Sequence, residues 1–307
     1  MFDKNKYRGV FPALYACYED DGSVSVERTR ELARHLFKKG IQGLYVGGSS
    51  GECIYQSVEE RKLILETVME EVGGKTVVIA HVACNNTADS EELARHAESL
   101  GVDAIAAIPP IYFKLPNHAI AAYWNDISDA APNTDFIIYN IPQLAGVSLS
   151  VELLVEMLKD PKVVGVKNSS MPTMDIEVWE EVGGENFFVF NGPDEQFISG
   201  LSMGAIGGIG GTYGVMPELY LKIYELYGEG KMQEALNIQR AACKIIYTMA
   251  KAKGNLYAVM KEIMKRREGL NLGSVRKPLP AVEECDLKII AEAVSLIDEA
   301  IAEFCKQ

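Results

Sequence analysis

Residues 162–170 read KVVGVKNSS, a run of valine and glycine that closes on a lysine and then turns polar. Four of the five residues before Lys167 are Val or Gly. That composition fits a strand buried on both faces, as in a parallel sheet. Lys167 stands where such a strand ends, with Asn168, Ser169 and Ser170 behind it. Desolvation there penalises the charged ammonium, lowers its pKa and frees a neutral amine to attack a carbonyl. At an ordinary lysine pKa only about one amine in a few thousand is neutral at pH 7, a deprotonation cost of roughly 4–5 kcal/mol. The alternative is a lysine that snorkels from the strand end to water.

Working outward, similar apolar runs recur through the first two-thirds of the chain. They are GVFPALYA (9–16), GLYVGG (43–48), VVIAHVA (77–83), AIAAIPP (104–110), FIIYN (136–140), FFVFNG (187–192) and GGIGG (207–211). With VVGVK (163–167) they make eight. Segments of helical period lie between them, among them 26–40, 58–72, 86–101 and 150–160. Ser57 with Glu60 three residues on spells a capping box, and Gly40 and Gly101 close their helices. Eight strands alternating with helices predict a parallel sheet with right-handed crossovers, and eight is the count that closes a barrel. The expected fold class is α/β, a (β/α)8 TIM barrel; an open doubly wound sheet is the alternative. After Gly214 the strands stop, and 216–227, 232–252, 256–268 and 286–304 read as helices. The barrel is expected over 1–230, with a helical C-terminal extension packed on it over 231–307.

A length of 307 residues suits such a barrel, at about 250 residues, plus an extension. The start, MFDKNKYRGVF, is polar, and no run reaches the ~20 apolar residues of a membrane span. A cytoplasmic protein without a membrane partner is expected. A net charge of −13 with no basic patch speaks against nucleic acid, yet a local field can still hold a small anion. The six cysteines, Cys17, Cys53, Cys84, Cys243, Cys285 and Cys305, form no C-x-x-C pair. They fit reduced cytosolic thiols better than disulfides or a zinc site. Cys53 lies near a strand end but has no neighbouring histidine, and it reads as packing.

Catalytic residues of such a barrel occupy its C-terminal strand ends. Those ends carry Gly47 to Glu52, Tyr112, Tyr139, Lys167, Asn191 to Glu195 and Gly207 to Gly211. The Gly-Gly-Ser-Ser-Gly loop offers amides and two hydroxyls to a carboxylate, or else is a tight turn capping the next helix. Tyr139 is either a proton shuttle facing the amine or a core tyrosine. His35, His96 and His118 fall in helical segments and His81 stands alone, so no metal cluster has ligand spacing and no metal or cofactor is expected. GGIGGTYG comes too late in the chain for a dinucleotide fingerprint. Asp194 and Glu195 would repel phosphate and suit the hydroxyls of a polyol, or simply sit in the first turn of a helix.

With YVGGSSGE (45–52), PPIYF (109–113), IIYNIP (137–142), GVKNSS (165–170), NGPDEQF (191–197) and GGIGGTYG (207–214) in this order, the chain resembles the N-acetylneuraminate lyase branch of the dihydrodipicolinate synthase superfamily. The resemblance runs over essentially the whole length. It implies a (β/α)8 barrel with a helical extension, a homotetramer, a Schiff-base lysine and no metal. By that resemblance Lys167 matches the Schiff-base lysine, Tyr139 the proton carrier, and Ser49 and Ser50 the pair on the substrate carboxylate. Tyr112 matches an aromatic that reaches into a neighbouring subunit's site. Ser169, Gly192, Asp194, Glu195 and Gly210 match positions around the polyhydroxyl tail. Gly211 departs from the serine that many sialic acid lyases have there. NIPQLAG (140–146) lacks the arginine that dihydrodipicolinate synthases use for a second carboxylate.

The resemblance implies reversible cleavage of N-acetylneuraminate to N-acetylmannosamine and pyruvate. A pyruvate aldolase for another 2-keto-3-deoxy sugar acid is the alternative within the class. A non-catalytic sugar-acid-binding protein on the same scaffold is the alternative outside it.

Overall fold

Strand and helix alternate from residue 9 onward in the computed structural model, which describes residues 3–305. The first half runs β1 (Gly9–Pro12), α1 (Val26–Lys38), β2 (Gly43–Val46), α2 (Val58–Val72), β3 (Val77–His81), α3 (Thr87–Ser99), β4 (Ala104–Ala107) and α4 (Asn117–Asp129). It continues with β5 (Asp135–Asn140), α5 (Pro142–Ala145), α6 (Val151–Met157), β6 (Val163–Asn168), α7 (Met174–Gly183), β7 (Phe188–Asn191), α8 (Phe197–Ser202) and β8 (Gly207–Gly210). Four helices follow: α9 (Pro217–Gly228), α10 (Met232–Met249), α11 (Leu256–Glu268) and α12 (Leu287–Phe304). The capping box read from Ser57 and Glu60 is present at the start of α2, with both reciprocal bonds made.

The strands pair in parallel in the order β1-β8-β7-β6-β5-β4-β3-β2. Between β1 and β2 a parallel bridge at Ala13 and Tyr45 closes the ring, where Leu14 N–H donates to Tyr45 O at 2.9 Å. The sheet is therefore a (β/α)8 barrel and not an open doubly wound sheet. β1 is shorter than the apolar run 9–16. Beyond Leu14 the amides turn away from the sheet, Ala16 donating to Ser50 O and Tyr18 to Leu272 O. β8 likewise stops one residue early, because Gly211 adopts helical angles and opens a 3-10 turn.

Aromatic rings plug the lower part of the barrel interior. Tyr7, whose hydroxyl lies 2.7 Å from Asp135 Oδ2 and 2.9 Å from Asp103 O, packs on Phe188, and Phe190 packs on both Phe11 and Phe188. Truncating a buried aromatic of this kind costs about 3–5 kcal/mol. With the base filled, open space is left at the C-terminal strand ends. The helices after residue 231 tie back to that end. Gln239 of α10 donates to Asp194 O at 3.0 Å, and Arg267 of α11 donates to Val215 O at 2.8 Å.

Candidate active site

Lys167 is the next-to-last residue of β6, in register with Tyr139 of β5 and Phe190 of β7. Alternation along the strand turns it into the barrel, where the residue is only 4% exposed. It does not snorkel. Its Nζ lies 3.9 Å from the ring centroids of both Tyr45 and Tyr139. Burial pushes the amine down to about 7, while the Asp194 carboxylate pulls it back up. Roughly half of such amines are neutral at pH 7, against the few in ten thousand of an exposed lysine.

Tyr139 is buried beside the amine, and burial pushes its phenol up to about 12 against hydrogen bonds from Ser49 and Ser169. A phenol of that kind stays protonated at pH 7 and passes protons along rather than holding a phenolate. Ser49–Gly51 forms a single 3-10 turn directly after β2, which puts both serines on the pocket. Ser50 is hydrogen-bonded to the hydroxyl of Tyr257, from α11. His81 fixes the loop from below, its Nδ1 2.9 Å from Gly47 O and its ring edge-on to Tyr139. Burial first, then the charge of Arg61, keeps this imidazole well below its usual pKa and hence neutral.

Beyond the end of β7, Asp194 occupies a 3-10 turn, Asp194–Gln196, just ahead of α8. The turn is tighter than the helix start expected there. One carboxylate oxygen accepts from Thr212 N–H at 2.7 Å and from Thr212 Oγ1–H at 2.6 Å. Burial still pushes Asp194 up to about 7. Gly210 is required beside it, since a Cβ there would run into its other oxygen. Gly192 is required for a similar reason, because a Cβ would meet Ser169 Oγ and the Asn168 carbonyl. Glu195 is exposed at the rim.

The structure thus gathers Ser49, Ser50, Tyr139, Lys167, Ser169, Gly192, Asp194 and Glu195 around one pocket of about 220 Å³. Gly210 stands behind Asp194 without lining the pocket. Tyr112 is not part of it: the residue is 90% exposed, has a φ of +83°, and borders a separate hollow with Phe113. Among the described residues no group of three or more His, Cys, Asp or Glu could hold a metal ion. Sequence reasoning missed Tyr45, His81, Thr212 and Tyr257. Tyr45 had one available signal, a tyrosine inside the strand that leads into Gly-Gly-Ser-Ser. Tyr257 had none, because it meets Ser50 across more than two hundred residues of chain.

The arrangement offers a nucleophilic amine, an adjacent proton carrier, a hydroxyl-lined seat and a polar far wall. That is the equipment of imine chemistry on a small keto acid. Comparison with known proteins agrees. The model of the dihydrodipicolinate synthetase family matches residues 6–296. N-acetylneuraminate lyase of Mediterraneibacter gnavus is 61% identical over 304 residues, covering 99% of this chain and 96% of that protein. The structure of wild-type sialic acid aldolase from Ruminococcus gnavus superposes with a TM-score of 0.97 at 62% identity, covering 97% of this chain and 99% of that one. The catalytic lysine mutant of the R. gnavus aldolase superposes with a TM-score of 0.98 at 61% identity, covering 99% and 100%.

Proposed function

The chain belongs to the dihydrodipicolinate synthetase family, and from that premise we propose that it is a Schiff-base lyase cleaving N-acetylneuraminate reversibly to N-acetylmannosamine and pyruvate. The observation that carries this reading is the buried amine of Lys167, held near pKa 7 between the faces of Tyr45 and Tyr139. The similarity to sialic acid lyases and aldolases selects the substrate within the class.

Neutral Lys167 attacks C2 of the open-chain sugar acid, and loss of water leaves a protonated imine. That cation accepts the electron pair of the C3–C4 bond as it breaks. The proton of the C4 hydroxyl passes to Tyr139, whose own proton moves on to the substrate carboxylate. The enamine on Lys167 is then protonated at C3 and hydrolysed, releasing pyruvate and restoring the amine. Ser49 and Ser50 seat the carboxylate, which aligns the reacting carbon with Nζ. Ser169, Gly192, Asp194 and Glu195 form the wall along the sugar tail, with Gly210 making room behind Asp194. No step in this scheme calls for a metal or cofactor.

We further propose that the enzyme is a cytoplasmic homotetramer in which Tyr112 reaches a neighbouring subunit's pocket. The exposed pair Tyr112 and Phe113 supports that assembly, and six free cysteines suit a reducing compartment. Pyruvate release from N-acetylneuraminate, followed with a coupled dehydrogenase, tests the function. Release is expected with and without EDTA, and none is expected from Lys167→Ala. Turnover by that variant would overturn the mechanism. Sedimentation analysis tests the tetramer.

A further inference from the structure

Two residues after Ser50, the chain makes a conformation that side chains rarely take. Glu52 has a φ of +53°, one of two non-glycine residues with positive φ among those described. Left-handed backbone at a non-glycine residue persists only where its surroundings over-determine it. The surroundings here belong to α11 and to the segment that joins it to α12. Glu52 Oε1 accepts from Lys261 Nζ at 2.6 Å, with the two side chains 0% and 1% exposed. Glu52 Oε2 accepts from the Arg276 amide at 2.8 Å. Lys261 Nζ donates also to Ser274 O at 2.9 Å and lies 4.8 Å from the centroid of the Tyr18 ring.

Lys261 stands four residues after Tyr257 on α11, so both point from one helix face. Tyr257 holds the Ser50 hydroxyl and Lys261 holds Glu52. Between these grips lies the turn closed by Gly51 N–H to Gly48 O and Glu52 N–H to Ser49 O, each at 3.0 Å. A buried ion pair contributes little net stability compared with well-packed apolar side chains, but its directional contacts can fix a register. We propose that Glu52 and Lys261 are a positioning pair, by which α11 sets the Ser49–Ser50 turn to receive the substrate carboxylate. Neither residue touches substrate. The inference rests on the reading of that turn as the carboxylate seat, and it makes the C-terminal helices a working part of the pocket.

The test uses pyruvate as the probe of the seat, trapped on Lys167 by borohydride, beside KM and kcat for N-acetylneuraminate. Three variants separate the causes. Glu52→Gly relieves the positive φ but removes the carboxylate. Lys261→Met removes the cation. Glu52→Gln with Lys261→Met removes both charges together and leaves no buried charge unpaired. The pyruvate half-saturation concentration and KM are expected to rise on the order of ten- to a hundred-fold in all three, with kcat falling less.

Thermal midpoint is expected to recover in the double variant relative to Lys261→Met, while the half-saturation concentration stays high. Joint recovery of both would mean a merely structural role and overturn the proposal. Unaltered pyruvate saturation in Glu52→Gly would overturn it as well. If Lys261→Met does not fold, the double variant carries the test against the unaltered protein. An unaltered protein that neither traps pyruvate nor cleaves N-acetylneuraminate would overturn the reading of the seat instead.

Discussion

The amine of Lys167 sits over the face of Tyr45, 3.9 Å from the ring centroid, and the hydroxyl of that ring finds no hydrogen-bond partner among the described residues. The electron-rich face is what a cation there needs, whether ammonium or protonated imine. The hydroxyl, by contrast, carries a desolvation cost of about 1–3 kcal/mol with nothing offsetting it. Tyr45→Phe is therefore expected to keep kcat within about threefold and to melt no lower than the unaltered protein. Tyr45→Leu loses a desolvated cation–π contact of about 2 kcal/mol and is expected to lose more than tenfold in kcat. Equal kcat for the two variants would remove the ring face from the mechanism.

The pKa of Lys167 sets a pH profile. Burial brings the amine down to about 7, so the nucleophilic fraction grows between pH 6 and pH 8 and then levels. Initial rates of pyruvate trapping by borohydride are expected to follow that curve. A rate still climbing through pH 9 would show an ordinary lysine.

The same shift acts on stability. Between pH 7 and 10.5 the unfolded chain keeps the Lys167 proton that the folded chain has released, so this group makes stability rise with pH across that window. Below pH 7 both states hold the proton, and the folded state bears the whole cost of a buried ammonium. Lys167→Met should accordingly be more stable than the unaltered protein at pH 6, with the difference closing by pH 10.5. Urea unfolding at the two pH values measures it. A constant difference would contradict the burial argument.

Much of this site could be read from residue order. Lys167 and Tyr139 declare themselves as polar residues at the ends of apolar strands, and strand-end geometry then brings them together. Asp194 was legible as a strand-end carboxylate, but its fixation by Thr212 was not, because that contact joins two loops with no shared pattern. The barrel followed from counting apolar runs. The length of β1 did not, since the amides of Ala16 and Tyr18 are diverted by Ser50 and Leu272, far away in sequence. Glu52 lies inside the quoted motif YVGGSSGE, and nothing local signals its pairing with Lys261. What sequence withholds here are contacts between one barrel loop and another, and between those loops and the C-terminal extension.

Asp194 should separate the two ends of the substrate. It lines the same pocket from the end of β7, and its charge raises the pKa of Lys167. Asp194→Asn is expected to raise KM for N-acetylneuraminate by about tenfold or more, the scale of a lost hydrogen bond to a charged group. Pyruvate saturation at pH 8 should change by less than about twofold, and the midpoint of the trapping profile should move to lower pH. A parallel loss of pyruvate binding would place Asp194 at the keto-acid end.

Gly211 gives a test of the pocket's fine geometry. Its φ of −72° and ψ of −42° suit any residue, so backbone strain plays no part in a substitution. The obstacle is Ser50, whose Oγ would lie 3.1 Å from a new Cβ and would have to give by a few tenths of an ångström. Gly211→Ala and Gly211→Ser impose that same displacement on the carboxylate seat. Both are expected to raise the pyruvate half-saturation concentration by a similar, few-fold factor. Only the serine adds a hydroxyl beside the tail, where one hydrogen bond of about 1 kcal/mol lowers KM roughly fivefold. KM for N-acetylneuraminate should then be lower in Gly211→Ser than in Gly211→Ala, while their pyruvate values coincide. Coinciding KM values as well would mean that a side chain at 211 crowds Ser50 without reaching the sugar.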